Sequence, residues 1–165
     1  MGQLLRGKRV GIIGLGRIGS AVASLLKNFG VEIVYFDTIV RTKSKFIKFV
    51  GFDALLKTSD IITLHISGSQ PLLDEKALSL CKQGSFIINC ARGGLIDEKA
   101  LYAHLKNRHL AGAALDVFEQ EPYTGELKNL NNVILTSHIG SYARESRVEM
   151  EIQAVQNLIK GLKIK

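Results

Sequence analysis

Short, almost wholly apolar runs alternate along this chain with longer segments whose apolar residues recur at helical spacing. The apolar runs fall at Val10–Ile13, Val31–Phe36, Ile61–His65, Ser85–Asn89, Gly112–Leu115 and Val133–Leu135. Helical patterning covers Arg17–Phe29, Phe52–Thr58, Asp74–Cys81 and Asp97–Asn107, and a last long segment runs from Tyr142 to Leu162. A short run with few polar residues suits a strand covered by helices on both faces. Strands alternating with helices predict βαβ units and a parallel sheet. Right-handed crossovers then make a doubly wound α/β sheet the expected fold. No internal repeat, low-complexity segment or linker interrupts the pattern, so one domain over residues 1–165 is expected.

Composition adds little to this and excludes more. With 165 residues and 46% apolar content the chain can bury a real core, and 22% charged residues argue against a mainly disordered chain. No apolar run reaches the length of a membrane span, and MGQLLRGKRV lacks the apolar core of a signal peptide. Two cysteines, Cys81 and Cys90, without a CxxC spacing fit a reduced, cytoplasmic protein better than a disulfide scaffold. The net charge is +7, with basic residues spread from Arg6 to Lys165. Their densest group, Arg41, Lys43, Lys45 and Lys48, is interleaved with Phe46 and Phe49. It is read as a solvated helix face rather than as a nucleic-acid patch. Nucleic-acid binding rests on charge alone and would show a steep salt dependence. An anionic small molecule is a second explanation for the surplus.

The first apolar run leads into chemistry. VGIIGLGRIGSA holds G-x-G-x-x-G at Gly14, Gly16 and Gly19. That spacing alone is weak, because 16 glycines produce it by chance. Its context makes it specific: it follows a strand-like run and opens a helical one. Gly14 would permit the tight turn, Gly16 would admit a pyrophosphate to the backbone, and Gly19 would let helix and strand pack closely. The helix N-terminus would offer free N–H groups to the phosphates. The second run, VEIVYFD, ends at Asp37, 18 residues after Gly19. A carboxylate there accepts hydrogen bonds from a ribose and repels a 2′-phosphate, which favours NAD over NADP. The alternatives are a plain turn aspartate and, through the neighbouring Arg41, an NADP site.

Three further residues fall just past predicted strand ends. IINCARGG places Arg92 beyond Ser85–Asn89, with Gly93 and Gly94 after it. A guanidinium grips a planar carboxylate through two oxygens. A helix-capping or surface-pairing arginine is the equal alternative. GAALDVFEQEP ends a strand at Asp116, followed by Glu119, Glu121 and Pro122. NVILTSHIGS places His138 ahead of Gly140 and the last helix. Taken together, these residues suit oxidation of a 2-hydroxy acid by a nicotinamide. One group must hold the carboxylate, and a histidine moves the hydroxyl proton near neutral pH. A carboxylate beside that histidine would fix its tautomer.

These blocks resemble the D-isomer-specific 2-hydroxyacid dehydrogenases, in their NAD-binding (Rossmann) domain. The likeness runs from LRGKRVGIIGLGRIG nearly to the C-terminus. It rests on INCARGGLIDEKAL, LAGAALDVFEQEP and NVILTSHIGS besides the glycine loop. Through KNRHLAGAALDVFEQEP the chain looks most like the 3-phosphoglycerate dehydrogenases. The resemblance implies that Arg92 orients the substrate's carboxylate and carbonyl, that His138 is the general acid/base, and that Glu121 pairs with it. Glu119 falls outside the pattern. The resemblance also implies Arg17 and Ile18 at the pyrophosphate, Asp37 on the ribose and Asp116 near the nicotinamide carboxamide. Cys90, Ala91 and the backbone of His138, Ile139, Gly140 and Ser141 would line the cofactor.

Three departures from the family stand out. Ser67 replaces a usual proline, in a stretch shortened by about three residues on the scale of an ordinary loop. Ser137 replaces the proline usual before the histidine. The separate substrate domain of the family is absent, which reads as an excised domain or truncated product, with a natural short protein as the alternative. The resemblance implies an NAD-dependent oxidoreductase acting on a small 2-hydroxy or 2-keto acid, paired as a homodimer and poorly active by itself. Its alternative is an NAD-sensing regulatory module, since some members of the family act as corepressors.

Overall fold

In the computed structural model, which describes residues 3–39 and 44–162, seven strands form one parallel sheet. In chain order they are β1 (Arg9–Ile13), β2 (Glu32–Phe36), β3 (Ile47–Phe49), β4 (Ile61–Leu64), β5 (Ser85–Asn89), β6 (Leu110–Leu115) and β7 (Val133–Leu135). The helices are α1 (Arg17–Leu26), α2 (Phe52–Thr58), α3 (Glu75–Leu80), α4 (Glu98–Lys106) and α5 (Arg144–Gly161). The sheet order is β3-β2-β1-β4-β5-β6-β7, which is the doubly wound arrangement expected. The order reverses between β1 and β4, and there the strand ends open into a crevice.

Side chains alternate across the sheet, and two cores result. Ile13, Ile62, Leu64 and Ile87 pack beneath Leu55 and Leu56 of α2, Leu78 of α3 and Leu101 and Leu105 of α4. Val10, Ile12, Ile33 and Tyr35 point the other way, against Ala23 of α1. Two helices start where the sequence supplies an acceptor for their first free N–H groups. Asp74 accepts from Ala77 N–H at 2.8 Å, and Asp97 accepts from Lys99 and Ala100 N–H at 3.0 Å.

Three expectations need correction. Lys45 and Lys48 of the basic group do not lie on a helix. Lys48 lies on the edge strand β3, Lys45 in the turn before it, and Arg41 and Lys43 fall outside the described residues. Strand β3 is three residues long with mostly exposed side chains, so its apolar signal is too short to read. The helix expected to reach Phe29 ends at Leu26 and tightens into a 3₁₀ turn closed by Gly30, whose φ is +68°. Finally, helices cover only part of the second face. Phe86 and Ile134 are 40% and 67% exposed, and α5 buries none of its side chains.

Candidate active site

Among the described residues, those singled out for chemistry lie at the C-terminal edge of the sheet, because they sit in the loops and helix start that follow its parallel strands. Hydrogen bonds carry the strand pairing into these loops. Gly14 N–H donates to the Phe36 carbonyl at 2.8 Å, and Asp116 N–H donates to the Asn89 carbonyl at 2.9 Å. Thr136 N–H donates to the Leu115 carbonyl at 3.0 Å. The loops are thus registered against one another by the sheet itself.

At the β1 end the glycine loop has the shape the sequence predicts. Gly14 has a φ of +91°, and a Cβ on Gly19 would strike the Gly14 carbonyl, so a larger residue at either position would force the turn apart. A Cβ on Gly16 would meet open space. Protein packing therefore does not require that glycine, whereas close approach of a ligand would. Gly16 caps α1 without a side-chain acceptor, which leaves the first N–H groups of the helix directed outward beside exposed Arg17 and Ile18. These features fit a dinucleotide's pyrophosphate.

Asp37 stands at the end of β2, and its Oδ2 accepts the Leu15 N–H at 2.9 Å. The carboxylate therefore ties the glycine loop to the neighbouring strand. Arg41, which the sequence raises as an NADP contact, lies outside the described residues.

At the β5 end Asn89 is 2% exposed and wraps the loop that follows it. Its Nδ2 donates to the Arg92 carbonyl at 2.9 Å, and its Oδ1 accepts the Ala91 N–H at 3.0 Å. The Arg92 guanidinium is exposed and donates to the Ala91 carbonyl at 2.6 Å. It pairs with no acid among the described residues, so surface pairing does not account for it. Exposed Cys90 lies beside it, its thiol pushed up by burial and by the Asp116 charge. Gly93 allows this loop to cross the next one, because a Cβ there would overlap the Phe118 carbonyl.

The third cluster joins β6 and β7. His138 Nδ1 is 3.0 Å from Glu121 Oε2, and Glu121 Oε1 accepts the Phe118 N–H at 3.1 Å. The hydrogen bond from His138, followed by that from Phe118, holds the Glu121 carboxyl below its ordinary range. Glu121 and His138 are 38% and 52% exposed at their side chains, so the pair faces solvent. Asp116 is buried at 6% exposure. Burial pushes its carboxyl up, but hydrogen bonds from Thr136, Ile139 and Gly140 outweigh burial and hold it below the usual value. Ile139 and Gly140 are exposed and Ser141 half-buried at the start of the segment leading to α5.

The chain belongs to the D-isomer-specific 2-hydroxyacid dehydrogenases. Residues 1–140 match the family's NAD-binding domain. Glyoxylate reductase from Thermococcus litoralis is 42% identical over 96% of this chain, and D-3-phosphoglycerate dehydrogenase from Bacillus subtilis is 39% identical over 99%. The crystal structure of a glyoxylate reductase from Paecilomyes thermophila superposes with a TM-score of 0.95 at 36% identity, over 99% of this chain and 52% of that one. This chain covers 50% of the Thermococcus enzyme and 33% of the Bacillus one, so it spans about half or less of these relatives. Glyoxylate reductases and phosphoglycerate dehydrogenases match at similar identity. NAD is the cofactor of the matched domain. No described helix is long and apolar enough to cross a membrane.

Asn89, Thr136 and Glu98 are working parts of this domain that the sequence pattern does not single out, and Gly93, which it places after Arg92, proves to be a crossing point between loops. Asn89 carried a signal, as the polar residue that ends an apolar strand before Arg92. Glu98 carried none, since an acid in a helix's first turn is ordinary. Here its Oε1 accepts the Glu119 N–H at 2.8 Å and ties the Glu121 loop to α4.

Proposed function

We propose that this chain, acting as one unit over residues 1–165, binds NAD in the crevice and supplies the proton-transfer and carboxylate-holding groups of a 2-hydroxyacid dehydrogenase. The observation that carries this reading is the His138–Glu121 pair standing on the same sheet edge as the glycine loop and the unpaired Arg92. NAD would supply hydride transfer. Gly14, Gly16, Arg17, Ile18 and Gly19 would hold its pyrophosphate and Asp37 its ribose. Cys90, Ala91, Asp116 and residues 138–141 would line the nicotinamide end. Arg92 would hold the substrate carboxylate. His138, kept in one tautomer by Glu121, would take up or return the hydroxyl proton.

The substrate is a small 2-hydroxy or 2-keto acid, and the KNRHLAGAALDVFEQEP block favours 3-phosphoglycerate within that class. A second half that closes over Arg92 and His138 would exclude water and align the reacting atoms, so this chain by itself should bind NADH and turn substrate over poorly. We also propose that it works in the cytoplasm as a homodimer. Half-exposed Val148, Ile152, Val155 and Ile159 recur at helical spacing on α5, a stripe that a second copy would cover.

Titration with NADH and NADPH, followed by nicotinamide fluorescence, tests the reading. Tight NADH binding and weak NADPH binding are expected. A folded chain that binds neither would sink the cofactor site and move a regulatory module, binding partner proteins, ahead of the enzyme.

A further inference from the structure

His138 holds a φ of +55°, a left-handed backbone uncommon for residues with a Cβ, histidine being among those that adopt it more often. The neighbouring residues show what holds it. Thr136 Oγ1 donates to Asp116 Oδ1 at 2.5 Å, and Ile139 N–H donates to the same oxygen at 2.9 Å. Gly140 N–H donates to Asp116 Oδ2 at 2.8 Å. One donor precedes residue 138 and two follow it, and all three converge on a single buried carboxylate at the end of β6. A Cβ on Gly140 would lie 3.0 Å from Asp116 Oδ2, so this glycine lets the loop come that close. The His138 ring bonds elsewhere, to Glu121.

We propose that Asp116 is a positioning residue for His138: it clamps residues 136–140 in the bend that sets the imidazole on Glu121, before cofactor or substrate arrives. This rests on reading His138 as the acid/base. The clamp needs a carboxylate rather than an amide. Three donors converge on two acceptor oxygens, and asparagine would turn one of those oxygens into a donor facing an N–H or O–H. Thr136 then belongs to the clamp through its bond to Asp116.

The imidazole itself reports the clamp. Free neutral histidine prefers the Nε2–H tautomer, whereas a ring donating from Nδ1 to Glu121 is held as Nδ1–H. Long-range ¹H–¹⁵N spectra of the full chain, without NAD or substrate, measure the ratio directly. His138 should be mostly Nδ1–H in the wild type and in Thr136→Ser. It should revert toward Nε2–H in Asp116→Asn, as in Glu121→Gln, and partly in Thr136→Val. An unchanged tautomer in Asp116→Asn, with weaker NADH binding, would make Asp116 a cofactor contact and overturn the clamp. If Asp116→Asn fails to fold by circular dichroism, Thr136→Val decides, and a wild-type tautomer there overturns the proposal too. A wild type that is not mostly Nδ1–H also overturns it. None of these readings uses turnover, so a complete enzyme in which His138→Ala leaves hydride transfer unchanged would remove the acid/base role and leave the clamp standing.

Discussion

His138 Nδ1 lies 3.0 Å from Glu121 Oε2, although the two residues sit on loops that follow different strands. Glu121 is anchored by the Phe118 N–H, and its own loop is tied to Glu98 of α4. The Glu121 loop is therefore held by two ties besides the histidine. In an enzyme joining this domain to a substrate-binding half, His138→Ala should cut hydride transfer by about 10²–10⁴-fold while leaving NADH affinity near wild type. Stopped-flow reduction of a 2-keto acid, alongside NADH titration, checks this. Loss of both activities together would mark a structural histidine.

Asp37 has two tasks that separate by substitution. Asp37→Asn keeps an acceptor for the Leu15 N–H but removes the charge that repels a 2′-phosphate. Asp37→Ala removes both. The asparagine variant should lose much of its preference for NADH over NADPH at little cost in NADH affinity. The alanine variant should also lose NADH affinity by roughly ten-fold or more, the effect of a hydrogen bond to a charged group worth about 1.5–3 kcal/mol. Equal NADH binding by both variants would show that the loop does not depend on this tie.

Gly93 is the crossing point between the Arg92 loop and the Glu121 loop. Gly93→Ala must push the Phe118 carbonyl away. Overpacking of this kind costs about 1–3 kcal/mol. A lower thermal midpoint is expected, together with weaker binding of a carboxylate inhibitor such as oxamate in the complete enzyme. An unchanged midpoint would mean that the two loops yield without cost.

Acid stability should carry the signature of Asp116. Its folded value lies below the ordinary carboxylate value of 3.8, so on acidification the unfolded chain takes up its proton first. The stabilisation is complete above that ordinary value and is lost as pH falls through the depressed folded value. Urea midpoints measured from about pH 5 down to about pH 2 should fall less steeply in Asp116→Asn than in the wild type. Asp60, held down by the Arg9 N–H and then by Lys82, titrates in the same window and keeps its share in the variant. Glu121 adds little, because solvent screens its exposed pair. Parallel profiles for variant and wild type would contradict the assignment to Asp116.

The apolar stripe of α5 predicts association. Sedimentation should give a dimer, and Ile152→Glu with Val155→Glu should give a monomer without loss of NADH binding. A monomeric wild type at high concentration would leave the stripe for another partner.

The sequence by itself determined which segments are strands and helices, where the glycine loop turns, and which strand ends carry Asp37, Arg92, Asp116 and His138. Those features follow from burial patterns and turn residues that repeat over a few positions, so they can be read locally. Strand β3 escaped because three mostly exposed residues carry no such pattern. Only the tertiary structure decided that Asn89 and Asp116 are clamps, that Gly93 is a crossing point, and that His138 is held left-handed. Asp116 meets donors 20 to 24 residues away, and that meeting depends on β5, β6 and β7 lying side by side in register. The same holds for the uncovered face: Phe86 and Ile134 have the composition of core residues, but coverage depends on where α5 runs, which its own periodicity does not specify.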